Sequence, residues 1–277
     1  MHEQAITPEL RQWIIEQSSA GHSVESVLAA MKISGWHEDT ALDALEKTLQ
    51  EHALVIQTGR PLPEPDFSLG SMSIWAHDRE VTVLAGMAKP RVLVLGGLLS
   101  AEECEAMIEL ARPRLARSET VINATGGSEV NVARTSQGMF FGRGENSLCQ
   151  RIEDRIAALV NWPIENGEGL QILRYGPGAE YKPHYDYFDP SQPGTPTILR
   201  RGGQRVGTLV IYLNTPEAGG ATVFPDVGFQ VSAVAGNAVF FSYALPHPMT
   251  QTLHGGSPVI DGEKWVATKW LREQRFE

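Results

Sequence analysis

The chain is 277 residues long, 42% hydrophobic and 20% charged, with a formal net charge of −10. This length accommodates one large domain with a small accessory one, and the composition is that of an ordinary globular protein. Nonspecific nucleic-acid binding is excluded because it needs clustered Lys and Arg to neutralise phosphates. A membrane-bound protein is not predicted either, because no apolar run approaches the length of a bilayer span.

The N-terminal sequence and the cysteines bear on the compartment. The first four residues, MHEQ, do not begin a basic segment followed by an apolar one, so no secretory signal is predicted. Both cysteines, Cys104 and Cys149, fall in predicted helices, and a disulfide framework is not expected. These features predict a cytoplasmic protein.

Residues 7–50 carry the signals of three short helices. Thr7 precedes Pro8, which suits a helix cap followed by proline at the first helical position, and Ser23 can cap a second helix. The dipeptide Gly35-Trp36 then breaks the pattern before the third helix. The segment resembles the small three-helix modules of the ubiquitin-associated type. We therefore predict an accessory module over residues 1–55, with binding of a protein partner or a folding or dimer contact as its alternative roles.

A proline-rich stretch follows this module. Pro61, Pro63 and Pro65 lie between Gly59 and Gly70, which is the composition of a linker. We place the linker at residues 56–78 and the catalytic domain at residues 79–277.

The catalytic part begins with a predicted strand and two predicted helices. Arg91–Leu95 is an apolar strand, Ser100–Leu110 opens with a capping box, and a further helix runs over Asn146–Val160. Short strands separated by Gly and Pro come next: Leu170–Tyr175, Tyr181–Tyr187, Arg205–Leu213, Ala221–Phe224, Asn237–Tyr243 and Lys264–Leu271. This order predicts an α+β fold, a β-sandwich or jelly roll with flanking helices on one face.

The triplet His184-Tyr185-Asp186 is the first candidate for chemistry. On an extended strand over Tyr181–Tyr187, the His184 and Asp186 side chains would point to the same face. Two imidazoles and one carboxylate with open coordination positions form the facial triad of non-haem Fe(II) oxygenases. An isolated triplet of this kind arises often by chance, so the third ligand matters.

Two histidines compete for that third position. His247 lies between Pro246 and Pro248, where a loop is more common than a strand, and its imidazole would be held less firmly. His254 leads into the Gly255-Gly256 turn, which returns the chain to the strand containing Lys264. We favour His254.

Lys264 follows His254 by ten residues. A buried lysine is costly unless it is paired with an anion, and the carboxylate of a co-substrate would supply one. The alternative is a surface lysine on an edge strand, since Lys269 offers the same charge five positions on.

These residues belong to a longer series of motifs. The region from about Lys89 to Trp270 resembles the catalytic domain of prolyl 4-hydroxylases, which are Fe(II)/2-oxoglutarate dioxygenases with a double-stranded β-helix fold. The resemblance rests on seven segments in order: Arg134–Gly138, Gln171–Tyr175, Tyr181–Asp186, Gly202–Arg205, Tyr212–Asn214, Gly219–Pro225, and His254–Gly256 continuing through Lys264-Trp265 and Lys269-Trp270.

The resemblance implies a set of ligands and cofactors. His184, Asp186 and His254 would bind Fe(II). Lys264 would pair with the distal carboxylate of 2-oxoglutarate, to which Tyr175 would donate a hydrogen bond. O2 would be the second co-substrate, and ascorbate would keep the iron ferrous.

The resemblance also implies residues of the pocket and of the substrate groove. Thr208 and Trp270 would line the co-substrate pocket. Arg134, Tyr181 and Arg205 match positions that face the peptide groove.

The leading hypothesis is hydroxylation of proline at C4 in a peptide or protein. The first alternative is hydroxylation of a free or carrier-bound amino acid by the same chemistry. The second is a non-catalytic protein that senses metal or 2-oxoglutarate, against which the complete ligand set and Lys264 both count. Many family members carry histidine where this chain has Arg272, and in some relatives that histidine contributes to peptide binding, so substrate choice stays open.

Overall fold

The computed structural model describes residues 6–58, 62–66, 72–121, 128–130 and 135–277. The chain divides into two compact units, Met1–Pro61 and Leu62–Glu277. The segment predicted as a linker, residues 56–78, is not uniformly irregular, because it contains the end of one helix and a complete strand, Ser73–Ala76. Within the described residues, no helix combines the length and the apolar character needed to cross a bilayer.

The first unit is helical where it is described, with α1 (Pro8–Ser19), α2 (Val24–Ile33) and α3 (Glu38–Thr58). The side chains of Thr7 and Ser23 accept hydrogen bonds from backbone N–H groups of α1 and α2, which satisfies donors that a helix start leaves free. Ile14, Met31 and Leu45 form the centre of a small core to which each helix contributes. Three predicted helices are therefore present, and α3 is longer than its pattern indicated.

The second unit contains the helices α4 (Ala101–Ala111), α5 (Ser147–Val160) and α6 (Thr195–Leu199). Ser100 and Glu103 form the predicted capping box at the start of α4, and Asn146 caps α5. Burial of Ile152 and Ile156 on α5 places this helix against the sheet described next.

The strands of this unit, in chain order, are β1 (Ser73–Ala76), β2 (Arg79–Met87), β3 (Arg91–Gly96), β4 (Ala116–Arg117), β5 (Glu119–Val121), β6 (Ser128–Val130), β7 (Gln137–Phe141), β8 (Leu170–Tyr175), β9 (Tyr181–His184), β10 (Arg205–Tyr212), β11 (Ala218–Gly219), β12 (Thr222–Phe224), β13 (Phe229–Val231), β14 (Ala238–Ser242), β15 (His254–Gly256), β16 (Val259–Asp261) and β17 (Lys264–Arg272).

Two sheets form the body of the unit. The major sheet has the strand order β1-β2-β3-β14-β10-β17-β8-β7-β4, and the minor sheet has the order β13-β12-β15-β9. One apolar core fills the space between them and includes Phe241 of the major sheet and Phe224 of the minor sheet, whose rings meet edge to face at 5.4 Å. A second core lies between the opposite face of the major sheet and helices α4 and α5. This is the predicted α+β double-stranded β-helix, or jelly roll, with flanking helices.

Several strand boundaries differ from the prediction. The strand predicted over Tyr181–Tyr187 ends at His184, so Asp186 lies beyond it in a bend. β1 and β2 lie before the first predicted strand and extend the edge of the major sheet. The strands β8, β10, β14 and β17 lie within one residue of their predicted bounds, because each is rich in apolar and β-branched residues and begins shortly after a glycine.

Candidate metal centre and co-substrate pocket

Three metal-binding side chains converge between the sheets. His184 ends β9 and His254 begins β15, and the two residues are direct partners in the antiparallel ladder. Their rings lie 4.4 Å apart between centroids. The Nε2 atoms of both imidazoles are 3.5 Å from carboxylate oxygens of Asp186, and one donor atom from each of the three residues lies within 4.8 Å of the others.

Backbone carbonyls fix both imidazole rings. The Nδ1 atom of His184 is 2.9 Å from the Lys182 carbonyl oxygen, and that of His254 is 3.0 Å from the Thr252 carbonyl oxygen. A carbonyl only accepts, so each Nδ1 carries the proton and each Nε2 presents a lone pair to the cluster. Burial lowers the pKa of His254 to about 4, which leaves this ring neutral and able to coordinate at physiological pH.

Asp186 is held by the major sheet although it is not on a strand. The hydroxyl of Thr208 on β10 donates to its Oδ2 at 2.7 Å, and the hydroxyl of Tyr243 lies 3.0 Å from Thr208 Oγ1. Burial opposes ionisation of the Asp186 carboxyl, but attraction to His254, which is protonated at the acidic pH where the carboxyl titrates, and to His184 and Arg205 outweighs it, and the pKa of Asp186 lies below its ordinary value. A hydrogen bond to Oδ2 leaves Oδ1 as the freer oxygen.

This position corrects the role expected of Thr208. The side chain is fully buried behind Asp186 and does not line the cavity next to the cluster. Thr222 of β12 lines that cavity instead, and its Oγ1 accepts a 2.8 Å hydrogen bond from the hydroxyl of Tyr212. Thr208 shares its face of β10 with Val210, which lines the cavity, but Asp186 and Tyr243 contact the Thr208 hydroxyl and cover it.

The cavity extends from the ligand cluster to a buried lysine. Lys264 on β17 is 4% exposed and lies opposite Tyr175 of β8 in the ladder. Its Nζ is 5.7 Å from the ring centroids of Tyr175 and Tyr212, and no carboxylate of the described residues is within ion-pair distance. Burial lowers the pKa of Lys264 to about 8. The remaining wall is largely apolar and includes Leu173, Val210 and Val266.

The donor set fits Fe(II). Two neutral imidazoles and one carboxylate are the ligands that non-haem Fe(II) oxygenases use, and they approach from one side of the cavity. Lys264 at the other end has no ion-pair partner among the described residues and fits a carboxylate-bearing co-substrate, because a buried ammonium group is costly without a counter-ion.

Only some of the residues expected at the substrate or the co-substrate line the cavity. Tyr181 lines the cavity and stacks on the His184 ring at 3.7 Å, and Trp270 lines it as well. The guanidinium of Arg205 makes paired hydrogen bonds of 2.7 and 3.0 Å to Glu168 and lies 3.9 Å from the ring centroid of Trp270, so its role at the substrate stays a prediction. A buried guanidinium needs such a partner. Arg134 lies outside the described residues.

The competing histidine is not part of the cluster. His247 precedes a 3-10 turn, Pro248–Thr250, and its Nδ1 accepts a 3.2 Å hydrogen bond from the Met249 N–H.

Arg272 is also turned away from the cavity. Its side chain is buried, lies 3.5 Å from Glu168, and donates to the carbonyls of Ile198 and Arg201 at 3.2 and 3.1 Å. A guanidinium has enough donors to hold both carbonyls and the carboxylate at once. Arg272 therefore fastens the segment after α6 to the end of β17.

Thr222, Tyr212 and Tyr243 are the site residues that the sequence reasoning missed. Thr222 carried a signal, because it belongs to the Gly219–Pro225 motif and shares one face of β12 with the core residue Phe224. Tyr212 ends β10 and Tyr243 follows β14, two largely apolar strands, and nothing local distinguishes these tyrosines from packing residues.

Comparison with known proteins identifies the class and then the family. The fold and the site define a non-haem Fe(II) and 2-oxoglutarate-dependent dioxygenase, and the family model of the 2OG-Fe(II) oxygenase superfamily matches residues 170–272. Prolyl 4-hydroxylase 1 of Arabidopsis thaliana is 41% identical over 231 residues, which cover 74% of this chain and 80% of that protein. Prolyl 4-hydroxylase 2 of the same plant is 38% identical, with coverage of 69% and 70%.

A solved structure agrees with this assignment. The viral collagen prolyl hydroxylase of Paramecium Bursaria Chlorella virus-1, in its 2-oxoglutarate complex, has a TM-score of 0.50 and 30% identity to this chain, covering 65% of it and 95% of the viral chain. The chain belongs to the prolyl 4-hydroxylase family of Fe(II)/2-oxoglutarate-dependent dioxygenases. Its metal is Fe(II), and its co-substrates are 2-oxoglutarate and O2.

Proposed function

We propose that this enzyme hydroxylates C4 of proline residues within a peptide or protein. The observation that carries the proposal is one cavity with a two-histidine, one-carboxylate cluster at one end and the unpaired ammonium group of Lys264 at the other. The relatives named prolyl 4-hydroxylase support the choice of proline.

We assign the three ligands as follows. His184 and His254 would each donate through Nε2, and Asp186 through the carboxylate oxygen that Thr208 leaves free. When bound, Fe(II) with 2-oxoglutarate and O2 supplies an oxidant for an unactivated C–H bond, with release of succinate and CO2.

Lys264 would bind the distal carboxylate of 2-oxoglutarate. Tyr175 and Thr222 line the same end of the cavity and have hydroxyl groups for further hydrogen bonds. The apolar walls exclude water, which strengthens this ion pair and keeps the reaction away from solvent.

The substrate would enter from the side on which Tyr181 and Trp270 lie. Such an oxidant attacks the nearest carbon, so the protein must set which C–H bond approaches the metal. The ring of Tyr181 stacks on His184 and restricts that approach.

The test is 2-oxoglutarate decarboxylation with Fe(II) and ascorbate in the presence of a proline-rich peptide, free proline or no substrate. His184→Ala and His254→Ala should abolish turnover and weaken Mn(II) binding, whereas the matched control His247→Ala should do neither. Turnover stimulated by free proline and not by peptides would replace the proposal with the amino-acid hydroxylase. Metal binding without turnover on any substrate would favour the sensor.

The helical unit is proposed as an accessory module that recruits a protein partner. Removal of residues 1–61 should leave activity on short peptides unchanged and reduce activity on a protein substrate. An equal loss of activity on both substrates would contradict recruitment and favour a folding role, and unchanged activity on both would contradict recruitment as well.

A further inference from the structure

An exposed aromatic side chain continues the inner face of the major sheet beyond the metal cavity. Phe140 of β7 is 51% exposed. It is paired with Gln171 of β8, which is paired with Thr268 of β17. Directly opposed residues in antiparallel strands point to the same face. Since Thr268 lines the metal cavity, Phe140 lies on the cavity side of the sheet, two strands outward.

Phe140 marks the place where this face opens to solvent. Gln171 and Thr268 are only 4% and 5% exposed. The other inner-face position of β7 is Gly138, which has no side chain to cover the surface. Beyond Phe140 the surface is concave and is bordered by Arg143, Arg201 and Phe276. The residues that the structure describes therefore leave room over Phe140 for a chain that leaves the cavity.

Trp270 connects Phe140 to the cavity. Its ring centroid is 6.5 Å from that of Phe140 with a tilt of 36°, and it lines the cavity next to the ligand cluster. Its indole Nε1 is buried and has no hydrogen-bond partner among the described residues. A buried donor without an acceptor is unfavourable, so this N–H points to an acceptor on a bound ligand.

We propose that Phe140 and Trp270 form an aromatic platform that binds the proline-rich segment flanking the target proline. This inference rests on the proposed function and adds a specificity-determining residue, Phe140. A polyproline II chain is extended, has no internal hydrogen bonds, and docks on aromatic-lined grooves. Its free carbonyls would supply the acceptor for the Trp270 N–H.

The sheet geometry sets how long a peptide must be to contact the platform. Adjacent strands lie about 4.8 Å apart, so Phe140 is about 10 Å from Thr268. A polyproline II chain rises about 3.1 Å per residue, so about three residues span this distance. With the target proline beside Thr268, a peptide must extend about three residues further to contact Phe140.

The test compares decaproline with triproline on the full chain. Fluorescence anisotropy of labelled peptides, with Mn(II) and 2-oxoglutarate bound under anaerobic conditions, gives Kd without turnover. Steady-state assays with Fe(II) give KM for the peptide and for 2-oxoglutarate. The variants are Phe140→Ala, Phe140→Trp and a matched control, Leu84→Ala, which removes a side chain of similar exposure, 53%, near the opposite edge of the same sheet.

We expect Phe140→Ala to raise the Kd and KM for decaproline about tenfold, or about 1.4 kcal/mol, with the values for triproline and 2-oxoglutarate unchanged. Phe140→Trp should retain binding, and Leu84→Ala should behave as wild type. An unchanged Kd for decaproline in Phe140→Ala, or an equal loss of affinity for both peptides, would overturn the platform. Turnover of peptides by the wild type would still support prolyl hydroxylation in that case. Wild-type protein that binds neither peptide and converts only free proline would overturn both.

Discussion

The replacement of Lys264 by methionine separates stability from co-substrate binding. Methionine keeps the approximate length of the side chain and removes its charge, so the packing changes little. Burial lowers the pKa of Lys264 from 10.5 to about 8. A pKa difference of this size corresponds to about 3 kcal/mol of unfavourable burial when the ammonium group is protonated in both the folded and the unfolded state. Lys264→Met should therefore raise the free energy of unfolding, by up to about 3 kcal/mol at pH 7.

The predicted gain in the free energy of unfolding of Lys264→Met depends on pH. Below pH 8 the lysine is protonated in both states, and the full cost is present in the wild type. As pH rises from about 8 to 10.5, the folded wild type loses the proton before the unfolded chain does, and the advantage of the variant shrinks. Urea unfolding at pH 7 and at pH 10, without 2-oxoglutarate, measures the difference.

The same variant should lose the co-substrate. A hydrogen bond to a charged group contributes about 1.5–3 kcal/mol, so the Kd for 2-oxoglutarate should rise roughly 10- to 100-fold, with Mn(II) affinity retained. Lys47→Met, at a lysine whose side chain is 58% exposed, is the control and should change neither property. A Lys264→Met protein that is less stable than wild type at pH 7 and still binds 2-oxoglutarate would refute the reasoning.

Three further predictions concern the surroundings of the site. Thr208→Val should lower Mn(II) affinity about 10- to 100-fold, because it removes the hydrogen bond that orients Asp186. Isothermal titration measures this affinity, and an unchanged value would contradict the prediction. The affinity of the wild type for 2-oxoglutarate should fall as pH rises above about 8, because neutral Lys264 cannot pair with a carboxylate; a flat profile in binding titrations would argue against that pair. Lys269→Met should cost about 3–5 kcal/mol in urea unfolding, because it leaves the carboxylate of Glu153 buried without its ammonium partner, and a loss below 1 kcal/mol would show that this ion pair is dispensable.

The sequence was most informative where one physical rule acts alone. β8, β10, β14 and β17 are rich in apolar and β-branched residues, and α4 begins at a capping box, so local pattern and final structure coincide. The short strands of the minor sheet, such as β13 and β15, have three residues each and depend on their neighbours for hydrogen bonds. Their existence is a property of the assembled sandwich, which local pattern does not contain.

In the candidate site, too, local pattern accounts for some features and contacts between distant residues account for others. The spacing of His184 and Asp186 pointed to one cluster, but the reason was partly wrong, because a bend and the hydroxyl of Thr208 place Asp186, and a continuous strand does not. Arg205 was expected at the substrate, and its guanidinium is paired with the buried carboxylate of Glu168, which no nearby motif indicates. Side-chain partners that are distant in sequence decided both cases.

The pairing of His184 with His254 across two neighbouring strands limits how this protein can vary. Residues can be gained or lost between the strands at little cost, since loop closure depends only weakly on length. A single residue gained inside β9 or β15 is different, because side chains alternate with a period of two and one imidazole would then turn to the opposite face. The loops of this enzyme are therefore open to insertion, while the short segments Tyr181–His184 and His254–Gly256 are fixed in length.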